Sequence, residues 1–309
     1  NTVYTLFEDR DDAIWLSATN SGIDYFIPDN KHFTTISKTA FTSPSLVDNW
    51  CQSLAEEKNG NLWIGTYRGL SYYDKHTNRF KNYLLAQQQS SEANNSIRSL
   101  LADNDGSLWI GTGNGLNKLN PHSGKIEPVN KADSIPSALI NSLAFDRRGT
   151  IMAATPRGLY LYDRKNKRFD YLFDKPSLKK YKNFSVYTML HDRKGKYWMS
   201  LPNRGLLIYD PTNDTKEFFD FKKLNPQSVS LDNITSIAED STGIIWLSSY
   251  NGLLSFDYEK KMISRFYVAD GLLSNKTSGL MVDAQNRLWI GTSHGLCMLD
   301  GKRKNFSVF

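Results

Sequence analysis

Cysteine is nearly absent: the 309-residue chain has two, Cys51 and Cys297, in different segments and without metal-ligand spacing around them. Neither a disulfide framework nor a zinc module is therefore expected to organise the fold. Long apolar runs are missing as well. No stretch approaches the ~18 residues of a membrane-spanning helix, and Asn1 to Phe7 has neither the basic start nor the apolar centre of a signal peptide, so any anchor or targeting segment is expected outside this chain. Histidine is sparse and dispersed, with no close-spaced pair among His32, His76, His122, His191 and His294 to hold a metal. There is no Gly-x-Ser-x-Gly elbow, and Asp103 and Asp105 before Gly106 lack the distant Glu of an EF-hand loop. Gly111-Thr112-Gly113-Asn114-Gly115 lacks the helix that a phosphate loop feeds. No nucleic-acid motif or continuous basic stripe appears. These absences leave no catalytic residue, no metal site, no cofactor and no nucleic-acid partner to propose.

What is present is core-forming material: 39% hydrophobic and 13% aromatic residues with 23% charged, at a mean hydropathy of -0.50. The formal charge of +6 and pI near 9.0 favour acidic partners. Self-similarity spans the chain. A Gly before an apolar residue recurs at Gly22, Gly69, Gly115, Gly158, Gly205, Gly252 and Gly295, 43 to 47 residues apart. The same repeat places Trp15, Trp63, Trp109, Met152, Trp198, Trp246 and Trp289 six residues after Asp9, Glu57, Asp103, Asp146, Asp192, Asp240 and Asp283. Blade four alone lacks the Trp.

Each unit holds four short segments rich in strand formers, seen in the second copy as Cys51 to Glu56, Leu62 to Thr66, Leu70 to Tyr73 and Phe80 to Tyr83. A lone sheet of this size cannot bury both faces, so the units must pack on one another. The reading is all-β: one seven-bladed β-propeller of four-stranded antiparallel blades over residues 1–309, with a solenoid as the alternative. No blade is shared between the chain ends. The recurring acids are assigned to turns, because a catalytic site needs one special constellation and these occur in every copy.

Leu62-Trp63-Ile64-Gly65-Thr66 with Gly69-Leu70, its copies at Trp109 and Trp289, and lead-ins such as Asp270-Gly271-Leu272-Leu273-Ser274-Asn275 resemble two-component regulator propeller repeats. The resemblance implies the periplasmic sensor region of an inner-membrane hybrid histidine kinase, with an adjoining propeller and an immunoglobulin-like module as partners. It also implies carbohydrate breakdown products as signals, and one propeller cut from a longer receptor.

Strand direction alternates within a blade, so the turns between second and third strands share a face with the lead-ins to the first strands. That face varies between copies, whereas the Asp-x-x-Gly turns of the opposite face do not. Sites favour loops on a rigid frame, which makes Trp50, Tyr67, Arg68, Asn114, Arg157, Asn203, Arg204, Tyr250, Asn251 and His294 the candidate ligand-binding residues. Turn chemistry alone accounts for Asn; it does not ask for exposed rings or arginines. Arg68, Arg157 and Arg204 occupy equivalent turns with few acids nearby, so closing the ring should gather them at one mouth suited to an acidic oligosaccharide ligand. Acids of a neighbouring propeller or of a second subunit in a homodimer are the alternative partners. Two further functional classes stay open: a propeller lyase or glycosidase acting on polysaccharide, and a protein-interaction scaffold. Blade four, with Met152 and Ala153-Ala154 in place of the Trp segment, is expected to be the weakest or most adaptable wedge.

Overall fold

Seven four-stranded antiparallel sheets follow one another along the chain, each made of four consecutive strands. The computed structural model describes residues 2–28, 30, 32–38, 45–85, 95–120, 123–129, 135, 139–220 and 233–309. The blades run over 3–36, 51–83, 97–128, 142–171, 189–219, 234–266 and 277–308, and the fold is a seven-bladed β-propeller. Three 3-10 turns, Leu172–Asp174, Pro176–Tyr181 and Val268–Asp270, lie between the sheets. The chain divides into two compact units, one comprising Phe7–Leu143 with Asp163–Phe169, the other Asn1–Leu6, Ala144–Tyr162 and Asp170–Phe309.

Burial falls from the inner strands of each blade to the outer one. All five residues of every second strand are buried, from Ile14–Ala18 to Leu288–Thr292, whereas the outermost strands, such as Arg79–Tyr83, are largely exposed. A strand covered on both faces has no reason to alternate polar and apolar residues, which is why Leu-Trp-Ile runs appear here. The indole rings fill the wedges between blades. Trp15 packs with Leu54, Leu62 and Tyr73 of blade two, Trp63 with Ile97, Leu100 and Ile110 of blade three, and Trp198 with Ile237, Leu247 and Phe256 of blade six.

Every one of those indoles donates to the acid six residues before it. Nε1–H to carboxylate distances are 2.7 Å for Trp15 on Asp9, 2.8 Å for Trp63 on Glu57 and 3.1 Å for Trp109 on Asp103. They are 2.7 Å for Trp198 on Asp192, 2.8 Å for Trp246 on Asp240 and 2.7 Å for Trp289 on Asp283. The second carboxylate oxygen caps the turn, as where Asp9 Oδ1 accepts the N–H groups of Asp11 and Ala13 at 3.0 Å each. One buried acid thus satisfies both a tight turn and a buried indole donor, which would otherwise stand unpaired.

Blade four departs from this scheme without leaving a gap. Tyr197, from blade five, donates its hydroxyl to Asp146 Oδ2 at 3.4 Å, where the other blades have an indole. Met152 lies in a cluster with Phe173, Leu178, Tyr181, Tyr197 and Tyr209. The wedge is filled by the 3-10 segment after the blade and by aromatic residues of the next one. The two thiols are free and buried. Burial pushes the Cys51 thiol up to about 12, and Cys297 is also raised by burial although its Sγ accepts Leu273 N–H at 3.1 Å.

Three acids also receive a cation from the following blade: Lys75 reaches Asp9 at 2.8 Å, Arg164 reaches Asp103 at 2.9 Å and Arg303 reaches Asp240 at 3.0 Å. Burial would raise these carboxyls, but the cation, the indole and turn hydroxyl or N–H donors outweigh it and hold all three below the usual carboxylate range. A carboxyl depressed on folding contributes stability that is fully present above its unfolded pKa, about 3.9, and is lost as pH falls through the folded value. Urea unfolding midpoints should therefore hold steady from pH 7 to about 5 and drop steeply below about 4. Replacing Trp109 by Ala should cost ~3 to 5 kcal/mol in the same measurement at pH 7, and a loss below about 1 would mean that the ring does not fill the wedge.

Candidate functional site

The turns between second and third strands meet the lead-in segments, as strand polarity requires. Tyr67 N–H donates to Trp50 O at 2.9 Å, Gly113 N–H to Ser96 O at 3.2 Å and Val186 N–H to Thr155 O at 2.9 Å. Gly252 N–H donates to Asn275 O at 2.6 Å and Ser293 N–H to Lys276 O at 3.0 Å. The Gly that closes each turn has φ between 89° and 149° in all seven copies, a range in which a Cβ is strained.

Five of these turns share one device. The hydroxyls of Thr66, Thr112, Thr155, Ser249 and Thr292 each donate to the carbonyl of the Gly three residues on, at 2.8 to 3.0 Å. The same hydroxyls accept the N–H of Arg68, Asn114, Arg157, Asn251 and His294 at 3.0 to 3.2 Å. The turn thus holds those five residues by backbone alone and makes no demand on their side chains. Blade five has Leu201 in the hydroxyl position; there Arg204 N–H goes to Leu201 O at 3.0 Å, and Asn203 takes the left-handed conformation at φ 58°. At Asn203 the turn itself explains the Asn. At Asn114 and Asn251 it does not.

In the unit carrying blades two and three, Trp50 and Tyr67 stack with ring centroids 5.1 Å apart and planes 19° from parallel. Trp50 is 39% exposed, whereas each of the six repeat tryptophans is 4% exposed or less. Asp48 holds the corner: its Oδ1 accepts Trp50 N–H at 2.8 Å and its Oδ2 stands 3.6 Å from Arg68 Nε. Arg68 is thus not short of an acid, as its turn alone suggested; the acid comes from the lead-in. Asn114 is exposed in the same unit.

In the other unit, Arg157 and Arg204 are both exposed and are tied to one segment. Tyr171 Oη donates to Arg157 O at 2.6 Å and accepts Asn183 N–H at 2.9 Å. The next residue, Phe184, lies under the Arg204 guanidinium, with Cζ 4.1 Å from the ring centroid. Among the described residues, neither arginine makes an ion pair. Tyr187, 42% exposed, follows on the same segment. Tyr171, Asn183 and Tyr187 were outside the expected set, because only the folded chain shows which segment runs between two turns. Tyr250 is 50% exposed with Lys276 Nζ 5.0 Å from its ring centroid, and His294 Nδ1 lies 3.0 Å from Ser293 Oγ. Asn251 is half-buried beside Tyr250. Of the dispersed histidines, His122 lies outside the described residues. The ten candidates therefore fall into two sets, one in each unit.

The opposite face carries clefts between blades. One of about 660 Å³ lies between blades two and three, where Arg10, Lys58 and Lys81 mix with Glu56, Glu57 and Asp103. Another of about 390 Å³ lies between blades four and five, lined by Arg147, Arg148, His191, Arg193 and Lys194.

A family model for the two component regulator propeller matches residues 45–68, 91–114, 228–251 and 271–294. Each match runs from a lead-in through the first hairpin to the second-to-third turn. Four of the seven repeats thus match the two component regulator propeller. No curated protein sequence matches the chain. Among solved structures, an extracellular domain assigned to a hybrid two component system of B. thetaiotaomicron is 18% identical, with a TM-score of 0.59, over 99% of this chain and 46% of that one. A second from the same organism, assigned to a one component system, is 16% identical with a TM-score of 0.53, over 100% of this chain and 55% of that one. The chain thus spans about half the length of these domains. Virginiamycin B lyase from Staphylococcus aureus shares the fold at 11% identity and a TM-score of 0.71, over 95% of this chain and 92% of that one.

Because Trp50 is the exposed indole of seven, acrylamide should quench a minor, accessible fraction of the tryptophan emission. That fraction should vanish in Trp50→Phe; its persistence would place another indole at the surface.

Proposed function

We propose that this two component regulator propeller is the non-catalytic ligand-sensing part of a membrane receptor, exposed outside the cytoplasm, and that it binds an oligosaccharide on the variable face. The observation that carries the reading is the stacked, exposed Trp50–Tyr67 pair beside a charged arginine. An exposed aromatic platform fixed by backbone bonds at both members offers a flat apolar surface for the hydrophobic face of a sugar ring, and its rigidity lowers the entropy lost on binding. Arg157 and Arg204 supply a second subsite with a preference for acidic groups: guanidinium forks match carboxylate and sulfate, and no protein acid competes for them among the described residues.

Signal transfer follows from population shift: a ligand that binds one packing of the propeller against its neighbours better than another biases that equilibrium. The expected neighbours are a further propeller and an immunoglobulin-like module of the same receptor, with a histidine kinase across the membrane. A second copy in a homodimer belongs to the same picture. Likeness to propellers from receptor extracellular domains supports it at the level of fold. A lyase shares that fold too, but the acids of the repeat are committed to turns, indoles and cations, which favours binding over turnover.

The test is calorimetry with acidic and neutral oligosaccharides at two salt concentrations, alongside analysis of the glycans for new ends. Trp50→Ala should weaken binding of the recognised oligosaccharide at least tenfold, or about 1.4 kcal/mol. Arg157→Ala with Arg204→Ala should weaken acidic oligosaccharides more than neutral ones, and that difference should shrink as salt rises. Unchanged affinity in both variants would remove this face as the site, and glycan cleavage abolished by a single acidic substitution would replace sensing with catalysis.

A further inference from the structure

The cleft between blades four and five opens where a cation that two other blades place across the gap is missing. Directly after the third strand, blade two places Lys75 and blade four Arg164, and each reaches back to the acid of the preceding blade. Blade six places Tyr258 there, whose ring packs edge-on against Trp198 with centroids 5.5 Å apart. Blade five places Pro211, an exposed turn residue with no side chain long enough to span the gap. Asp146 therefore receives no cation from blade five; its Oδ2 is met by Tyr197 Oη at 3.4 Å and by Arg148 Nε, from its own turn, at 3.6 Å. The space that a bridging side chain would fill is the 390 Å³ cleft, bordered by Pro211 and Thr212.

Its lining is cationic. Arg147, Arg148, Arg193 and Lys194 all border it, and no carboxylate does. The balancing acids sit behind them: one carboxylate, Glu239, serves both Arg147 Nη2 at 3.5 Å and Arg193 Nε at 3.4 Å, while Lys194 meets Glu259 at 2.5 Å. Two of the cations are fixed by further bonds, Arg147 Nε to Asp192 O at 2.8 Å and Arg193 Nη1 to Ser241 O at 2.8 Å. His191 forms part of the wall. Its Nδ1 accepts Arg147 N–H at 2.9 Å, its ring lies tilted against that of Tyr197 with centroids 4.6 Å apart, and burial keeps the imidazole below its usual pKa despite nearby Asp146 and Asp192. The cleft is thus a walled concavity with guanidinium and ammonium groups on its rim and partly anchored bases, the arrangement that binds multivalent oxyanions by several charge-assisted hydrogen bonds.

We propose that this cleft, on the face opposite the variable turns, is a second binding site for a sulfate or phosphate group. The group could arrive as the free inorganic anion or as an ester on a larger molecule, and the chemistry of recognition is the same. Its location in Asp-turn loops separates it from the oligosaccharide subsites described above.

The experiment titrates inorganic sulfate, inorganic phosphate, a sulfated disaccharide and the same disaccharide without sulfate into the protein at constant ionic strength, following the His191 ring signals by NMR. Saturable shifts with the inorganic anions, and at least tenfold weaker affinity in Arg148→Gln/Lys194→Gln, are expected. Both substituted side chains are largely exposed, at 72% and 59%, so the fold should tolerate the change. A sulfated sugar that binds more tightly than sulfate, with its desulfated form inert, identifies the ester as the source; equal affinities identify the free anion. Pro211→Lys supplies the missing bridging cation and should abolish the site by filling it and neutralising Asp146, independently of the first variant. The proposal is overturned if no sulfate- or phosphate-bearing probe saturates the protein, or if Arg148→Gln/Lys194→Gln binds as wild type. It is equally overturned if Arg157→Ala/Arg204→Ala, and not the cleft variants, removes the anion.

Discussion

The hydrogen bond from a buried indole to the acid six residues before it is the contact on which the repeat depends. It couples the two things each blade must achieve, a tight turn at one end of the first hairpin and a large apolar wedge against the next blade. Without the acid, the indole N–H would be a buried unpaired donor, at a cost of about 1 to 3 kcal/mol. Without the indole, the carboxylate would lose one of its buried donors. Blade four shows how strict the requirement is. With Met152 in the Trp position, a phenol from the neighbouring blade reaches Asp146 Oδ2, where the other blades have an indole.

Much of this was legible in the sequence, because periodic features are visible without coordinates. The spacing of seven Gly-apolar pairs specified blade number and strand count, and the constant interval between Asp9 and Trp15, or Asp283 and Trp289, was a sign that the pair acts together. The bond itself was not readable, since a fixed interval is equally consistent with two independent roles. Contacts between repeats were less accessible still. Arg68 finds Asp48 and Arg204 finds Phe184 about twenty residues upstream, through the lead-in to the first strand, and those lead-ins vary in composition from blade to blade. Periodicity says which positions are equivalent; it does not say what a non-equivalent segment lays against them.

The variable face owes its freedom to the Thr and Ser hydroxyls at the ends of the second strands. By bonding to backbone on both sides of the turn, one small side chain fixes the path of the chain and leaves the residues at its tip unconstrained. Rings, guanidinium groups, amides and an imidazole occupy those positions with the same backbone geometry. The opposite face is built the other way, with side chains of successive blades bound to one another, and blade five carries Pro211 where blades two and four carry Lys75 and Arg164.

The two thiols add a property of a different kind. Cys51 belongs to one compact unit and Cys297 to the other, and each is enclosed and held as the unreactive thiol by its surroundings. An alkylating reagent attacks the thiolate, so neither sulfur reacts at an appreciable rate until its enclosure breaks. The chain thus carries one native chemical clock in each unit, and the labelling rates of the two sulfurs in the unmodified protein report separately how often each unit opens.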